Sequence, residues 1–119
     1  MPYSPSERAK RALFEIRDNC LLALEFASAK SAEELRANRM AFYATTRALE
    51  IVSEAARRLP AELRARRSDM PWDLIMNAGN VYRHGYDVVD EETILRTALD
   101  SVPPLLKAIE EEITLLVQP

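Results

Sequence analysis

The sequence predicts an all-α protein, an antiparallel up-and-down bundle of four or five helices. Ala, Leu, Glu and Arg dominate its composition, while β-branched residues are sparse. Apolar residues recur at steps of three and four along several segments, which is the spacing of one helical face. The 119 residues include only 2 glycines, too few for tight β-hairpins or glycine-rich phosphate loops. The length predicts one domain, residues 1–119.

The first helix is predicted to begin with Ser4 as its N-cap, Pro5 at its first position and Glu7 completing a capping box. One apolar stripe then follows along a single face, formed by Leu13, Ile16, Cys20, Leu24 and Ala27. Because Cys20 belongs to this stripe, we expect it to be a small buried apolar residue and not a nucleophile.

The middle of the chain carries two further helix signals. Ser31 and Glu34 form a second capping-box pattern, which opens a short helix that is predicted to break near Asn38. A long helix is predicted over Arg39–Leu59, and Pro60 opens a short piece over residues 61–66.

The last third of the chain predicts two more helices. Pro71 stands at the first position of a helix that ends near His84, where Gly85 is suited to a left-handed cap. Asp90 is the predicted N-cap of the last helix. The prolines at 103–104 interrupt the apolar seam of this helix, which predicts a kink or two helices in near continuation.

The net charge of −3 argues against a molecule that is basic over its whole surface. Residues 1–67 nevertheless hold 13 of the 16 basic groups and 9 of the 19 acidic groups, a balance of +4. Within that half, arginines cluster at positions 57, 58, 64, 66 and 67. These arginines form either a patch that binds phosphates or a solvated helix end favoured by the helix dipole. Arg47 is open to the same two interpretations, as an ion-pair partner or a phosphate contact.

One cysteine and one histidine exclude an internal disulfide and the common zinc sites with four Cys or His ligands, so no metal or cofactor is expected. The N-terminus lacks a basic region followed by an apolar one, and no apolar run approaches the ~18 residues of a membrane span. We therefore expect a cytoplasmic location and no membrane association.

The stretch from Met70 to Asp87 holds the residues best suited to chemistry. It contains the only histidine and the only tryptophan of the chain, and we expect Trp72 to anchor its helix in the core. Asn80 and His84 are four residues apart and share a helix face, and Arg83 adjoins His84. A histidine can act as a general acid or base and an arginine can bind phosphate, although a histidine at a helix end also serves as a cap or core residue.

Three segments resemble the HepT-like branch of the HEPN superfamily, small all-α proteins encoded beside minimal nucleotidyltransferases. The family pattern is Arg, a polar residue, three variable residues, His, one residue and Tyr. Asn80, His84 and Tyr86 match this pattern, whereas Gly79 stands in the place of the Arg. Residues 47–59 resemble a second family signature, "R-x-L-E-I-I-G-E-A-A", with Ser53 in the place of Gly. Residues 70–72 resemble the family's "I-P-W" helix start.

The resemblance implies a HEPN-like bundle that forms a homodimer in which the histidine motifs of both subunits share one cleft. It also implies metal-independent RNA cleavage by a toxin whose antitoxin is a nucleotidyltransferase, and modification of Tyr86 with AMP by that partner. The implied catalytic residues are His84 and Asn80. Because Arg83 is one helical turn after Gly79 and helical side chains lean toward the N-terminus, we expect Arg83 to replace the missing arginine.

Arg57, Arg58 and Arg47 are the candidate RNA-binding residues. Two alternatives stay open at this point. The chain is a catalytically degenerate HEPN protein that serves as a binding partner or AMPylation substrate of a nucleotidyltransferase, or it is a structural helical module that presents an arginine surface to another protein. The loss of the motif arginine at Gly79 is the main argument for the first of these alternatives.

Overall fold

The structure, a computed structural model, describes residues 6–84 and 89–116, and all regular secondary structure in these ranges is helical. This confirms the predicted all-α fold. The helices are α1 (Glu7–Ala27), α2 (Ala32–Ala37), α3 (Arg39–Arg57), α4 (Ala61–Arg66), α5 (Trp72–His84), α6 (Glu91–Arg96) and α7 (Val102–Leu116). A π-helical turn over Thr97–Ser101 joins α6 to α7.

Four long rods make the bundle: α1, α3, α5 and the continuous run from α6 through α7. α3 packs against both α1 and α5, and α1 also packs against α7. Arg57 near the end of α3 contacts Met76 near the start of α5, while the earlier Ser53 contacts the later Gly79. This reversed order shows that α3 and α5 run antiparallel.

The core lies where the apolar faces of these rods meet. Its fully buried large side chains include Leu13, Ile16, Leu35, Leu63, Ile94 and Ile109. Cys20 is also fully buried, which confirms its predicted role as a core residue. Burial raises the pKa of the Cys20 thiol to about 12, and the charge of Glu110 acts in the same direction. A thiol with so high a pKa is not a nucleophile near neutral pH.

The start of α1 differs from the sequence prediction. Ser6 is the N-cap, because its Oγ accepts a hydrogen bond from the backbone N–H of Ala9 at 3.1 Å. Glu7 is therefore the first helical residue and not the third, and the predicted capping box at this position is wrong. Both serines of the Ser-Pro-Ser-Glu segment are good N-caps. Ser4 and Pro5 lie outside the described residues.

The boundaries around α2 and α3 follow their capping residues. Ser31 and Glu34 form the predicted capping box, with both hydrogen bonds at 3.1 Å. Asn38 ends α2 and also caps α3, where its Oδ1 accepts from the N–H of Ala41 at 3.0 Å. The prediction that the helix breaks near Asn38 is therefore confirmed. α3 ends at Arg57, two residues before the predicted end.

Trp72 fixes the joint between α4 and α5. Its side chain is buried, and its indole N–H donates to the backbone oxygens of Arg64 and Arg67 at 3.0 and 2.9 Å. The same two carbonyls accept the backbone N–H groups of Arg67 and Met70 at 3.1 and 3.0 Å, so the indole adds a second donor to each of them at the end of α4. The predicted anchoring of Trp72 in the core is confirmed. Gly85, the predicted end cap of α5, lies outside the described residues.

The last helical run begins at the predicted N-cap, since Asp90 accepts a hydrogen bond from the N–H of Thr93 at 2.8 Å. The prolines at 103–104 lie in the first turn of α7 and have no backbone N–H to donate to the turn before them. Immediately before them the chain widens into the π-helical turn, in which the N–H of Val102 reaches the oxygen of Thr97. The predicted interruption is thus a π turn within one continuous helical run. No helix in the described ranges is long and apolar enough to span a membrane.

Candidate functional site

The crossing of α3 and α5 brings a glycine against a serine. The N–H of buried Gly79 donates to Ser53 Oγ at 2.9 Å, and Ser53 Oγ donates to the backbone oxygen of Met76 at 3.1 Å. A Cβ added at Gly79 would lie 2.9 Å from Ser53 Oγ and 3.2 Å from Ser53 Cβ. A Cβ at this position would force Ser53 to move, so glycine is the residue that fits this close contact. Gly79 and Ser53, which stand where the family-like patterns have Arg and Gly, therefore touch each other.

Arg83 occupies the outer side of this contact. Its Nη1 lies 3.4 Å from the position that a Cβ of Gly79 would take. Nη1 also donates to Glu54 Oε1 at 2.6 Å, and Nη2 donates to Asn80 Oδ1 at 2.7 Å. Two acceptors, one from α3 and one from α5, therefore hold the guanidinium beside Gly79.

His84 is the last residue of α5 and directly follows Arg83. Its side chain is exposed, as is that of Asn80. The side-chain oxygen of Asn80 is hydrogen-bonded to Arg83, and the described contacts include none between Asn80 and His84. Tyr86, the predicted modification site, lies outside the described residues. Among the residues that the structure describes, no three His, Cys, Asp or Glu side chains are grouped so that they could hold a metal ion.

The structure distinguishes the three arginines proposed to bind RNA. Arg47 forms an ion pair with Glu50 on the same helix, and Arg58 forms one with Glu15 of α1. Arg57 instead donates from Nε to the backbone oxygen of Met76 at 2.9 Å. It has no carboxylate within ion-pair distance in the described ranges.

The rest of the arginine cluster divides in the same way. Arg66 and Arg67 both bind the buried carboxylate of Glu112 on α7, at 2.6 Å and 2.8 Å. They attach α4 to α7 and are structural. Arg64 is different, because its Nη1 lies 3.1 Å from Met76 Sδ and no carboxylate pairs with it in the part of the chain that the structure describes. Sequence reasoning placed Arg64 in the cluster but did not single it out, since nothing local distinguishes it from its neighbours.

The outer face of α5 carries apolar side chains in solvent. Leu74 is 73% exposed and Val81 is 49% exposed, although both are large and apolar. They are seven residues apart, so they lie on one helical face, and His84 follows Val81 by three residues on that face. The candidate histidine therefore lies at the end of an exposed apolar strip.

Comparison with known proteins gives a consistent result. A family profile described as "Ribonuclease HepT-like" matches residues 16–112. The chain is 29% identical over 101 residues to a "Putative RNase" of Methanocaldococcus jannaschii, covering 85% of this chain and 93% of that protein. It is 31% identical over 99 residues to a "Putative RNase" of Caldanaerobacter subterraneus subsp. tengcongensis, covering 83% of this chain and 88% of that protein. It is 26% identical over 102 residues to a "Probable ribonuclease HepT" of Thermococcus cleftensis, covering 86% and 93%. No solved structure matches this chain at a comparable level of significance.

Proposed function

Because this chain belongs to the HepT-like ribonuclease family, we propose that it is a metal-independent endoribonuclease, the cytoplasmic toxin of a toxin–antitoxin module. The observation that carries the proposal is the position of Arg83. Its guanidinium is held beside Gly79 by Glu54 and Asn80, one residue from His84. A cation therefore lies over Gly79, at the residue before the histidine, although the family-like arginine is absent.

The proposed reaction uses the ribose 2′-hydroxyl of the RNA as its nucleophile. His84 removes the hydroxyl proton as the 2′-oxygen bonds to the adjacent phosphorus, and the bond from phosphorus to the 5′-oxygen breaks. A protonated His84 of a second copy of the chain delivers a proton to that leaving oxygen. Arg83 stabilises the negative charge that develops on the phosphate. The products are a 2′,3′-cyclic phosphate and a 5′-hydroxyl.

A homodimer supplies the two histidines that this reaction requires, since each chain has one. The exposed Leu74 and Val81 support such a pairing through α5, because an apolar strip on a helix surface is favourable to bury against a second copy. The strip ends at His84, so a two-fold pairing in which the α5 helices cross near this end would bring the two histidines toward a common cleft.

The second candidate function is that of a catalytically degenerate partner of a nucleotidyltransferase antitoxin, which would transfer AMP to Tyr86. The ion pair between Arg83 and Glu54 favours it, because the carboxylate neutralises the cation that a phosphate would need. This pair is about one-third to one-half exposed, so an approaching phosphate can compete with the carboxylate in high dielectric. We therefore keep the ribonuclease as the primary proposal.

The deciding experiment is cleavage of tRNA and mRNA by the purified protein in the presence of a chelator. We expect the wild type to cleave, the His84→Ala variant to lose all activity, and Arg83→Ala to lose at least 100-fold, the scale of one lost charge-stabilising donor. Cleavage by Arg83→Ala at the wild-type rate would reject the role of Arg83. No cleavage by a folded wild-type protein, together with AMP transfer to Tyr86 by a nucleotidyltransferase, would establish the second candidate.

A further inference from the structure

Two arginines from different helices converge on one residue of α5. Arg57 of α3 donates from Nε to the backbone oxygen of Met76 at 2.9 Å, and Arg64 of α4 places Nη1 3.1 Å from Met76 Sδ. Neither has a carboxylate within ion-pair distance among the residues that the structure describes. We call these two residues the Met76 arginine pair. Both members of the pair contact Met76, and within the described ranges no carboxylate forms an ion pair with either of them.

The environment of Arg64 makes the missing anion more significant. The side chain is partly buried, so solvent screens its charge less than that of a fully exposed arginine. A like charge nearby is therefore unfavourable. A phosphate between the two guanidinium groups would offset the repulsion and accept hydrogen bonds from both, for which the planar guanidinium is well suited.

The pair lies on the same edge of the α3–α5 contact as Arg83. On α3, Glu54 holds Arg83 and Arg57 follows three residues later, on the same face. On α5, Met76 and Arg83 are seven residues apart and also share a face. At 1.5 Å per helical residue the separation along α5 is about 10 Å. One small anion cannot reach both groups, whereas neighbouring phosphates of one nucleic-acid strand can.

We propose that the Met76 arginine pair binds a backbone phosphate of single-stranded RNA while Arg83 binds another phosphate of the same strand near the scissile bond. The substrate then runs along the outer edge of the α3–α5 contact, from His84 toward α4. This inference rests on the proposed function for the identity of the substrate. It assigns no such role to Arg47, which pairs with Glu50 of its own helix, or to Arg58, which pairs with Glu15 of α1, because neither of them contacts Met76 as Arg57 and Arg64 do.

The test measures binding separately from cleavage. Fluorescently labelled oligouridylate is titrated by anisotropy at several salt concentrations against protein carrying His84→Ala, so that the probe stays intact. In that background we make two double variants. The pair variant combines Arg57→Gln and Arg64→Gln, and the control variant combines Arg36→Gln and Arg96→Gln. The control removes the same charge from two exposed arginines that pair with Glu91 and Glu92 on α6.

We expect the Met76 pair variant to bind at least 10-fold more weakly in low salt, and the control to stay within 2-fold of the parent. The slope of log affinity against log salt concentration should fall by about 0.7, the value of one phosphate contact to a single strand. The double variant Arg57→Lys with Arg64→Lys should keep the slope, which separates loss of charge from loss of structure. Unchanged binding by the pair variant, or an equal loss in the control, would overturn the proposal.

The two proposals fail in different ways. If the wild type cleaves RNA and the pair variant binds normally, only the phosphate contact is wrong. If the wild type does not cleave but the pair variant still binds the oligonucleotide more weakly and with a smaller salt dependence, the phosphate contact stands and the catalytic proposal is wrong.

Discussion

The backbone N–H of Gly79 donates a 2.9 Å hydrogen bond to the hydroxyl of Ser53, so only the serine side chain lies between the two helices at this point. The contact brings the backbone of α5 against the side chain of a buried serine on α3. Arg83, one turn further along α5, lies over the same point. The position of the candidate catalytic arginine therefore depends on how closely these two helices approach.

Replacing Gly79 by Ala should destabilise the protein by about 1–3 kcal/mol, the usual cost of overpacking. On an open helix face the same change would stabilise by about 1 kcal/mol, because Ala has the higher helix propensity. Here the new Cβ would lie 3.2 Å from Ser53 Cβ, and no rotation of the serine hydroxyl relieves that contact. Urea unfolding followed by circular dichroism measures the difference.

The matched background for this prediction is Ser53→Gly, which removes the opposing side chain. The cost of Gly79→Ala should be at least ~1 kcal/mol smaller in that background, since residues in contact are energetically coupled. A Gly79→Ala variant that is more stable than the wild type would show that α3 and α5 are not in close contact at this point.

Glu54 should act on RNA cleavage through Arg83, as a positioning residue. Glu54→Ala removes the acceptor that lies 2.6 Å from Arg83 Nη1, so we expect kcat to fall roughly tenfold while KM stays constant or falls. KM should not rise, because the change also removes a negative charge from the path of a polyanion. Glu54→Gln keeps an acceptor oxygen and should recover most of kcat. Steady-state cleavage of one defined RNA measures both constants.

Glu33→Gln is the control for Glu54, since it removes one exposed carboxylate from α2, a helix that contributes no residue to the site. It should leave kcat unchanged. The Glu54–Arg83 pair is partly exposed, so its loss should change stability by less than about 1 kcal/mol. A wild-type kcat in Glu54→Ala would reject the positioning role.

Asp90 should make the stability of the protein depend on pH in acid. The backbone hydrogen bond from Thr93 is the largest cause that lowers the pKa of the Asp90 carboxyl, and a side-chain hydrogen bond from Thr93 adds to it. The charges of Arg36 and Arg96 act in the same direction. The folded state therefore binds the proton more weakly than the unfolded chain, in which the pKa is about 3.9. The contribution of the Asp90 carboxylate to the free energy of unfolding is fully present above the pKa of the unfolded chain, and it is lost as the pH falls through the pKa of the folded state.

Asp90→Asn isolates this effect, because Asn is also a good N-cap and does not titrate. The difference in unfolding temperature between the two proteins should be constant above about pH 5 and should change steadily below about pH 4. A difference that stays constant down to about pH 2.5 would mean that Asp90 has the same pKa in both states.

The helix boundaries follow from local signals, and the sequence contains these signals. Ser31, Asn38 and Asp90 each bond a backbone N–H three residues further along the chain, which is a relationship within one turn. The start of α1 was misplaced because two serines compete there, and only the structure shows that Ser6 accepts the hydrogen bond. The placement of Arg83 beside Gly79 is similarly local, since one turn of a single helix separates them.

The partners of the arginines are not local, and the sequence does not determine them. Arg58 meets Glu15 and Arg66 meets Glu112, across 43 and 46 residues of chain. Such contacts depend on which helices are neighbours and how they are rotated. For this reason the sequence grouped five arginines that the structure divides into ion-paired residues and the Met76 arginine pair. The roles of His84, Asn80 and Arg83 in catalysis stay predictions.

The indole of Trp72 gives the protein an optical reporter at one defined corner. It is the only tryptophan of the chain, it is buried, and it is hydrogen-bonded to the backbone of Arg64 and Arg67. Its fluorescence therefore comes entirely from the joint of α4 and α5, beside one member of the Met76 arginine pair. Opening of this joint would shift the emission to longer wavelength even while the other helices stay folded. Trp72 therefore reports local opening of this corner of the protein without an added label.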